Sequence, residues 1–289
     1  MSIIKAIIMG IVQGMTEFLP VSSSGHLVIF GKILRLELDT GIVFEVMLHI
    51  GTLIAIFCAY TKDVWSLIKA GFGILFDIPE AIKIRIQEGH WPKVEEGKQK
   101  DPYRRLIWLI VVASIPTALI AFTLKSYIEY LFSSLLGTGI ALLITGCLLY
   151  IADKVVEGKT RLENMKYKNA LVIGVVQGFA TIPGISRSGS TIVTGLLTDL
   201  DRESAIRFSF LMSIPAVLGA GLLELKDIPS DMVGEVFSAP YLIGTAVAAI
   251  VGFICIKALI VVLKNQKLHW FSYYCWIVGL LAIITYWIV

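Results

Sequence analysis

"TEFLPVSSSGH", residues 16–26, interrupts an otherwise apolar stretch near the start of the chain. Six of its eleven residues are polar (Thr16, Glu17, Ser22, Ser23, Ser24 and His26), and Pro20 and Gly25 break any regular helix. Apolar sequence flanks it on both sides: "AIIMGIVQG" (6–14) before and "LVIF" (27–30) after. Each half of the interrupted region 3–36 is about 12 to 16 residues long, less than the roughly 20 that a bilayer-spanning helix needs. Irregular backbone at membrane depth survives only where protein buries it or where it lines a wet cavity. The reading is a re-entrant helical hairpin over 3–36 with the polar cluster at its tip.

The composition supports a membrane setting. Of 289 residues, 56% are hydrophobic and 16% charged, against about 25% charged in soluble domains, and the mean hydropathy is +0.81. The net charge is only +3, with no basic stripe to suggest a nucleic-acid partner. Cys58, Cys147, Cys255 and Cys275 sit in apolar runs without metal-ligand spacing and read as small hydrophobes. The start "MSIIKAIIMGIVQG" lacks a cleavage site and reads as mature chain.

Six stretches are long and apolar enough to span: about 42–61, 105–124, 134–152, 204–223, 240–263 and 269–288. A second interrupted region, 169–199, repeats the first. A shift of 164 residues lays "AIIMGIVQG" on "ALVIGVVQG" (170–178), and Ser22, Ser24 and Gly25 on Ser186, Ser188 and Gly189. The fold class expected is an all-α integral membrane protein of six transmembrane helices plus two re-entrant hairpins. It forms one polytopic domain over 1–289, with repeats at about 1–152 and 169–289. An odd number of crossings per half makes the repeats inverted, as in many transporters.

Lysine and arginine crowd three connections, 62–104, 153–168 and 264–268, which six spans place on one side. The positive-inside rule makes that side cytoplasmic. The first hairpin then opens to the outside and the second to the cytoplasm. Within the charged insertion 62–104, "VWSLIKAGFGILFDIPEAI" (64–82) reads as an interfacial amphipathic helix.

The second tip, "PGISRSGST" (183–191), places Arg187 among hydroxyls in an apolar segment. An intramembrane arginine marks a site with an anionic partner, and its planar fork suits phosphate oxygens. Ser186, Ser188, Ser190 and Thr191 add donors, Gly184 and Gly189 allow close backbone approach, and a helix resuming near Ser190 points its N-terminus at the same anion. On the first tip, Ser22, Ser24 and Gly25 are the matching phosphate ligands. Glu17, Ser23 and His26 supply an acid, a hydroxyl and an imidazole. Inverted repeats bring such tips together, and the combined set suits nucleophilic attack on phosphorus. Either Ser23 activated by His26, or His26 itself with Glu17 as acid or base, satisfies the residues. Gln13 and Gln177 occupy equivalent positions before each tip and suit either a metal contact or a bond across the repeats. Glu45 and His49, at i and i+4, either line the pocket or bond each other.

"QGMTEFLPVSSSGH" and "PGISRSGST" together resemble the two signature motifs of the undecaprenyl-diphosphatase family, also called bacitracin-resistance proteins. The resemblance implies a hydrolase of the bacterial cell membrane, with its active site on the outer face. It would convert undecaprenyl diphosphate to undecaprenyl phosphate, recycling the lipid carrier of peptidoglycan and other cell-wall polymers and conferring bacitracin resistance. It implies Glu17, Ser23, His26 and Arg187 as catalytic residues and a divalent cation, Mg2+ or Ca2+, held by Glu17 and possible second ligand Gln13. The family carries Glu or Gln at that leading position. An amide is a weaker ligand and cannot be a base, which weighs against a two-carboxylate metal site. The rival reading is a lipid-phosphate transporter using the same pocket. Transport explains Arg187 and the glycines but leaves Glu17, Ser23 and His26 without a task. An anion channel would need more than one pore-lining cation. Apolar faces such as 240–263 are available for a homodimer.

Overall fold

The computed structural model describes residues 1–34, 38–88, 101–132, 134–156, 158–226, 233–264 and 267–288. Among them every regular element is helical, and a single isolated bridge joins Thr160 to Leu200. The first hairpin is α1 (Ile3–Phe18) and α2 (Ser23–Ile33); the second is α8 (Tyr167–Phe179) and α9 (Arg187–Leu197). With 16, 11, 13 and 11 residues, none reaches the length of a bilayer crossing.

The breaks follow from local chemistry. Pro20 has no N–H and excludes the helical region for the residue before it. Leu19 accordingly turns extended (φ −64°, ψ 141°), and α1 stops at Phe18. In the second hairpin a turn runs Ile182–Ile185, closed by the Ile185 N–H donating to the Ile182 carbonyl at 3.0 Å. Pro183 and Gly184 fill its centre, and Gly184 takes φ +97°, the left-handed region that favours glycine. Ser22 and Ser186 restart the chain by capping: each Oγ accepts the N–H of the glycine three residues on, at 3.3 and 3.0 Å.

Around the hairpins stand α3 (Leu38–Ala59), α4 (Thr61–Glu88), α5 (Pro102–Thr123), short α6 (Lys125–Phe132), α7 (Leu135–Ala152), α10 (Arg202–Lys226), α11 (Ala239–Lys264) and α12 (His269–Ile288). Five of them, α5, α7, α10, α11 and α12, are long and apolar enough to cross a membrane; α3 with α4 makes a sixth candidate. The protein is an all-α membrane protein. The expected span at 42–61 corresponds to α3, and the chain then bends by 94° into α4. A helix is therefore present where the amphipathic insertion was expected. Its lower face carries buried Ala70. Asp63 accepts the Tyr103 hydroxyl at 3.0 Å and pairs with Arg207, and Asp77 pairs with Arg104 at 2.6 Å. Its other face exposes Trp65, Phe72, Leu75, Phe76 and Ile86.

The packing of α1 on α11 and of α8 on α5 rests on small residues, the usual means by which membrane helices approach closely. A Cβ on Gly10 would lie 2.5 Å from the Gly244 carbonyl oxygen, and one on Gly14 2.8 Å from that of Ala248. At the positions 164 residues on, a Cβ on Gly174 would strike the Ala113 backbone and one on Gly178 the Ile120 side chain. Below the first tip, buried Phe18 meets Phe210 of α10 edge-to-face, centroids 5.4 Å apart.

Forcing a branched side chain into such contacts costs about 1–3 kcal/mol. Gly10→Val and Gly174→Val should each lower the apparent Tm of detergent-solubilised protein by roughly 3–10 °C. Gly31→Ala, where a Cβ meets nothing within 4 Å, should leave it unchanged. Thermal melts followed by size-exclusion chromatography test this, and equal behaviour of all three variants would show that α1 and α8 are not held by close backbone approach.

Candidate active site

The two tips interlock through their small residues. A Cβ on Gly25 would lie 3.0 Å from the Gly184 Cα, and one on Gly189 3.2 Å from the Pro20 Cβ. The contacts are reciprocal, because 20 and 25 plus 164 give 184 and 189. Ser188 Oγ donates to the Leu19 carbonyl at 3.4 Å, a further link between tips. Thr145 of α7 braces the second tip: its hydroxyl donates to the Gly184 carbonyl (2.8 Å) and accepts the Ser186 N–H (3.0 Å).

At the centre is Glu17, whose side chain is 4% exposed. Three side chains donate to its carboxylate. Arg187 pairs with Oε1, Ser23 Oγ donates to Oε2 at 2.5 Å, and Gln13 Nε2 donates to Oε2 at 3.0 Å. The ring of His49 adds Nε2 at 3.9 Å from Oε2. Ser23 and Arg187 occupy the same register, 164 residues apart, each at the first helical position after a capping serine. One carboxylate thus gathers a hydroxyl from one tip and a guanidinium from the other. The N-termini of α2 and α9 meet at this point, and first-turn N–H groups outside the helical bonding pattern make such ends favourable to anions.

His26 is buried at 2% exposure and has partners other than Ser23 and Glu17. Its Nδ1 is 2.7 Å from the Ser22 carbonyl and its Nε2 is 2.8 Å from the Tyr274 hydroxyl on α12. The expected activation of Ser23 by His26 is therefore replaced by a bond from Ser23 to Glu17. The reason lies in Ser22, whose φ of +71° is rare for a non-glycine residue. The first turn of α2 starts from that rotated residue, with His26 bound back to its carbonyl and Ser23 on the Glu17 side.

The other expected ligands divide by the work they already do. Ser22 and Ser186 are caps, and their hydroxyls also lie 3.3 Å from those of Ser24 and Ser188. The N–H groups of Gly25 and Gly189 are taken by these caps. Thr191 is turned inward, its hydroxyl between the Arg187 carbonyl (2.8 Å) and Ser209 Oγ (2.6 Å). It supports Arg187 from behind. Gln177 reaches across to Thr117 of α5 at 3.3 Å. Sequence reading overlooked Tyr274 and Thr145, which sit in unremarkable apolar helices far from either motif. His49, weighed against a Glu45 partner, anchors on the Glu45 main-chain carbonyl (2.8 Å) and joins the site.

The profile of the family described as "Bacitracin resistance protein BacA" matches residues 6–281. The chain belongs to this family. Among its relatives, the undecaprenyl-diphosphatase of Methanosphaera stadtmanae is 43% identical over 284 residues, 98% of each chain. That of Halothermothrix orenii is likewise 43% identical over 284 residues and 98% of each. Undecaprenyl-diphosphatase 3 of Bacillus cereus is 36% identical over 283 residues, 98% of this chain and 97% of its own. In this BacA-family chain the matched region takes in the second hairpin, the first from Ala6 onward, and every residue of the cluster around Glu17.

Among the described residues no group of three or more His, Cys, Asp or Glu converges as a metal centre. Gln13 Oε1 is buried and unpartnered one turn before Glu17, and Glu17 and Ser23 supply further oxygens. That set suits a hard cation that takes its remaining ligands from phosphate oxygens.

Removing one partner of a buried ion pair strands the other charge, at a cost of about 3–5 kcal/mol. Arg187→Ala should therefore lower the apparent Tm, and Glu17→Gln in the same chain should recover most of the loss. Thermal melts of the single and double variants decide it. A double variant no more stable than Arg187→Ala would mean that the pair does not hold the tips together.

Proposed function

We propose that this chain hydrolyses undecaprenyl diphosphate to undecaprenyl phosphate and inorganic phosphate, recycling the lipid carrier for cell-wall polymers and conferring bacitracin resistance. The observation that carries it is the Glu17 carboxylate shared between the Ser23 hydroxyl and the Arg187 guanidinium. That grouping is a nucleophile with its base beside a cation, the minimum that phosphoryl transfer requires.

The lipid enters laterally, with its diphosphate between the tips. Arg187 and the N-terminal N–H groups of α2 and α9 bind phosphate oxygens, the planar fork contributing two donors. Ser23 Oγ attacks the terminal phosphorus while its proton passes to Glu17 Oε2. The bond to the bridging oxygen breaks, and undecaprenyl phosphate leaves with the electron pair. Water then attacks the phosphoserine; its proton goes to His26 Nε2, the bond from phosphorus to Ser23 Oγ breaks, Glu17 returns its proton to that oxygen, phosphate departs, and His26 sheds its proton to solvent. Glu17 and Gln13 would hold Mg2+ or Ca2+, which supplies charge neutralisation at the phosphate oxygens when bound. His49 flanks Glu17, with Nε2 3.9 Å from Oε2.

An inverted-repeat arrangement of two halves is supported by the reciprocal contacts Gly25 to Gly184 and Gly189 to Pro20, and by the matched packing of α1 and α8. With the lysine-rich connections in the cytoplasm, the first hairpin opens outward and the site serves the outer face. The right-angled α4, its apolar stripe exposed and its acids paired beneath, then lies along the cytoplasmic interface. Lipid-exposed α11 offers the surface for a homodimer.

Phosphate release from undecaprenyl diphosphate by purified protein in detergent is the direct test. Ser23→Ala and Glu17→Gln should each lose at least ~10³-fold in turnover. Arg187→Lys, which keeps charge but not the fork, should lose roughly 10²-fold. EDTA should abolish turnover, and Mg2+ or Ca2+ restore it. Retained activity in Ser23→Ala would move the nucleophile elsewhere. A folded native chain that binds the lipid without releasing phosphate would favour transport.

A further inference from the structure

Tyr274 lies 248 residues from His26 and outside both motifs, yet it is the only described side chain bonded to the His26 Nε2 atom. Three observations bear on that contact. The Ser22 carbonyl, 2.7 Å from Nδ1, can only accept, so Nδ1 carries the hydrogen and the neutral ring bears its lone pair on Nε2. The Tyr274 hydroxyl, 2.8 Å away, donates to that lone pair. The two rings lie nearly parallel, at 6° with centroids 5.5 Å apart. Tyr274 itself is 43% exposed, so its ring is not locked in place by packing alone. The next residue, Cys275, reaches the Pro20 carbonyl of the same tip at 3.9 Å, so α12 grips the first tip at two points.

We infer that Tyr274 is a positioning residue, aiming the His26 Nε2 lone pair at the reacting water and standing at the outer end of a Ser22 carbonyl–His26–Tyr274 chain. The Ser22 carbonyl sets the tautomer, and Tyr274 sets the rotation of the ring. This is the arrangement in which a general base is oriented by a third group, here with a main-chain carbonyl behind the imidazole and a phenol in front. When water enters, the hydroxyl turns from donating to Nε2 to accepting from the water, which leaves Nε2 free to take the proton. No proton is lost or gained by Tyr274 over the cycle. The inference rests on the phosphatase reading, in which His26 serves the hydrolysis of the phosphoserine.

The test uses the full chain in detergent, with Tyr274→Phe, which keeps the ring and removes the hydroxyl, and Tyr274→Ala. Turnover in Tyr274→Phe should fall about tenfold, the value of one lost hydrogen bond, with KM within twofold of native and the Tm unchanged. Tyr274→Ala should lose at least as much. Nitrogen-15 labelling of histidine supplies a readout that packing alone does not move. The native His26 spectrum should show a protonated Nδ1 and a hydrogen-bonded bare Nε2, assigned by difference from His26→Gln, and Tyr274→Phe should shift the Nε2 resonance towards an unbonded lone pair. Turnover within twofold of native, or an unchanged Nε2 resonance, overturns the inference. Failure of the native chain to release phosphate would instead remove the phosphatase reading, while the resonance would still decide whether Tyr274 holds the ring.

Discussion

A carboxylate and a guanidinium from two different hairpins meet where neither could stand alone. A charge buried among apolar helices is costly for either residue on its own. Paired and bonded, Glu17 and Arg187 become tolerable, and the pairing dictates much of what surrounds it. Two chain segments must be broken at the same depth, hence Pro20 and the Pro183–Gly184 turn. Two tips must come within contact of each other, hence glycine at 25, 184 and 189. Each break needs its own cap, hence Ser22 and Ser186. The outer helices then serve as walls, with Thr145 and Ser209 fixing the second tip from behind.

The two tips share a frame and differ in what they put into it. The caps, the flanking hydroxyls and the interlocking small residues correspond position by position. The first helical residue does not: it is Ser23 on one side and Arg187 on the other, and both reach the same carboxylate. At the next pair, His26 has its own partner in Tyr274, whereas Ser190 has a buried hydroxyl without one. A single geometry therefore delivers a hydroxyl and a cation to one carboxylate, and the two otherwise matching tips differ in what they bring to it.

Much of this was legible in the sequence because polar residues in apolar surroundings are few and expensive. Glu17 and Arg187 could be singled out, and their meeting followed from the 164-residue correspondence. The breaks in both hairpins were visible in proline, glycine and serine, but the second hairpin's helix resumes at Arg187, capped by Ser186, and not near Ser190. What the sequence hid was rotation. Nothing in "VSSSGH" says that Ser22 takes a positive φ, and without that residue's geometry Ser23 and His26 look like natural partners. Tyr274 and Thr145 were hidden for a different reason: they lie on long apolar helices where a single hydroxyl is commonplace, and only the three-dimensional packing shows which ones face a tip. The end of α3 was legible as a span, but the 94° bend after it was not, since Tyr60 and Thr61 carry no helix-breaking chemistry.

The interlock of the tips also limits how the molecule can move. A carrier that alternates access must slide one half past the other, and here such a slide would drag Gly25 across Gly184 and Gly189 across Pro20 while parting a buried carboxylate from its cation. Tightly packed surfaces of this kind resist gradual displacement. The geometry around Glu17 therefore lasts only as long as the two tips stay together, so a change that loosens one hairpin is felt at the other.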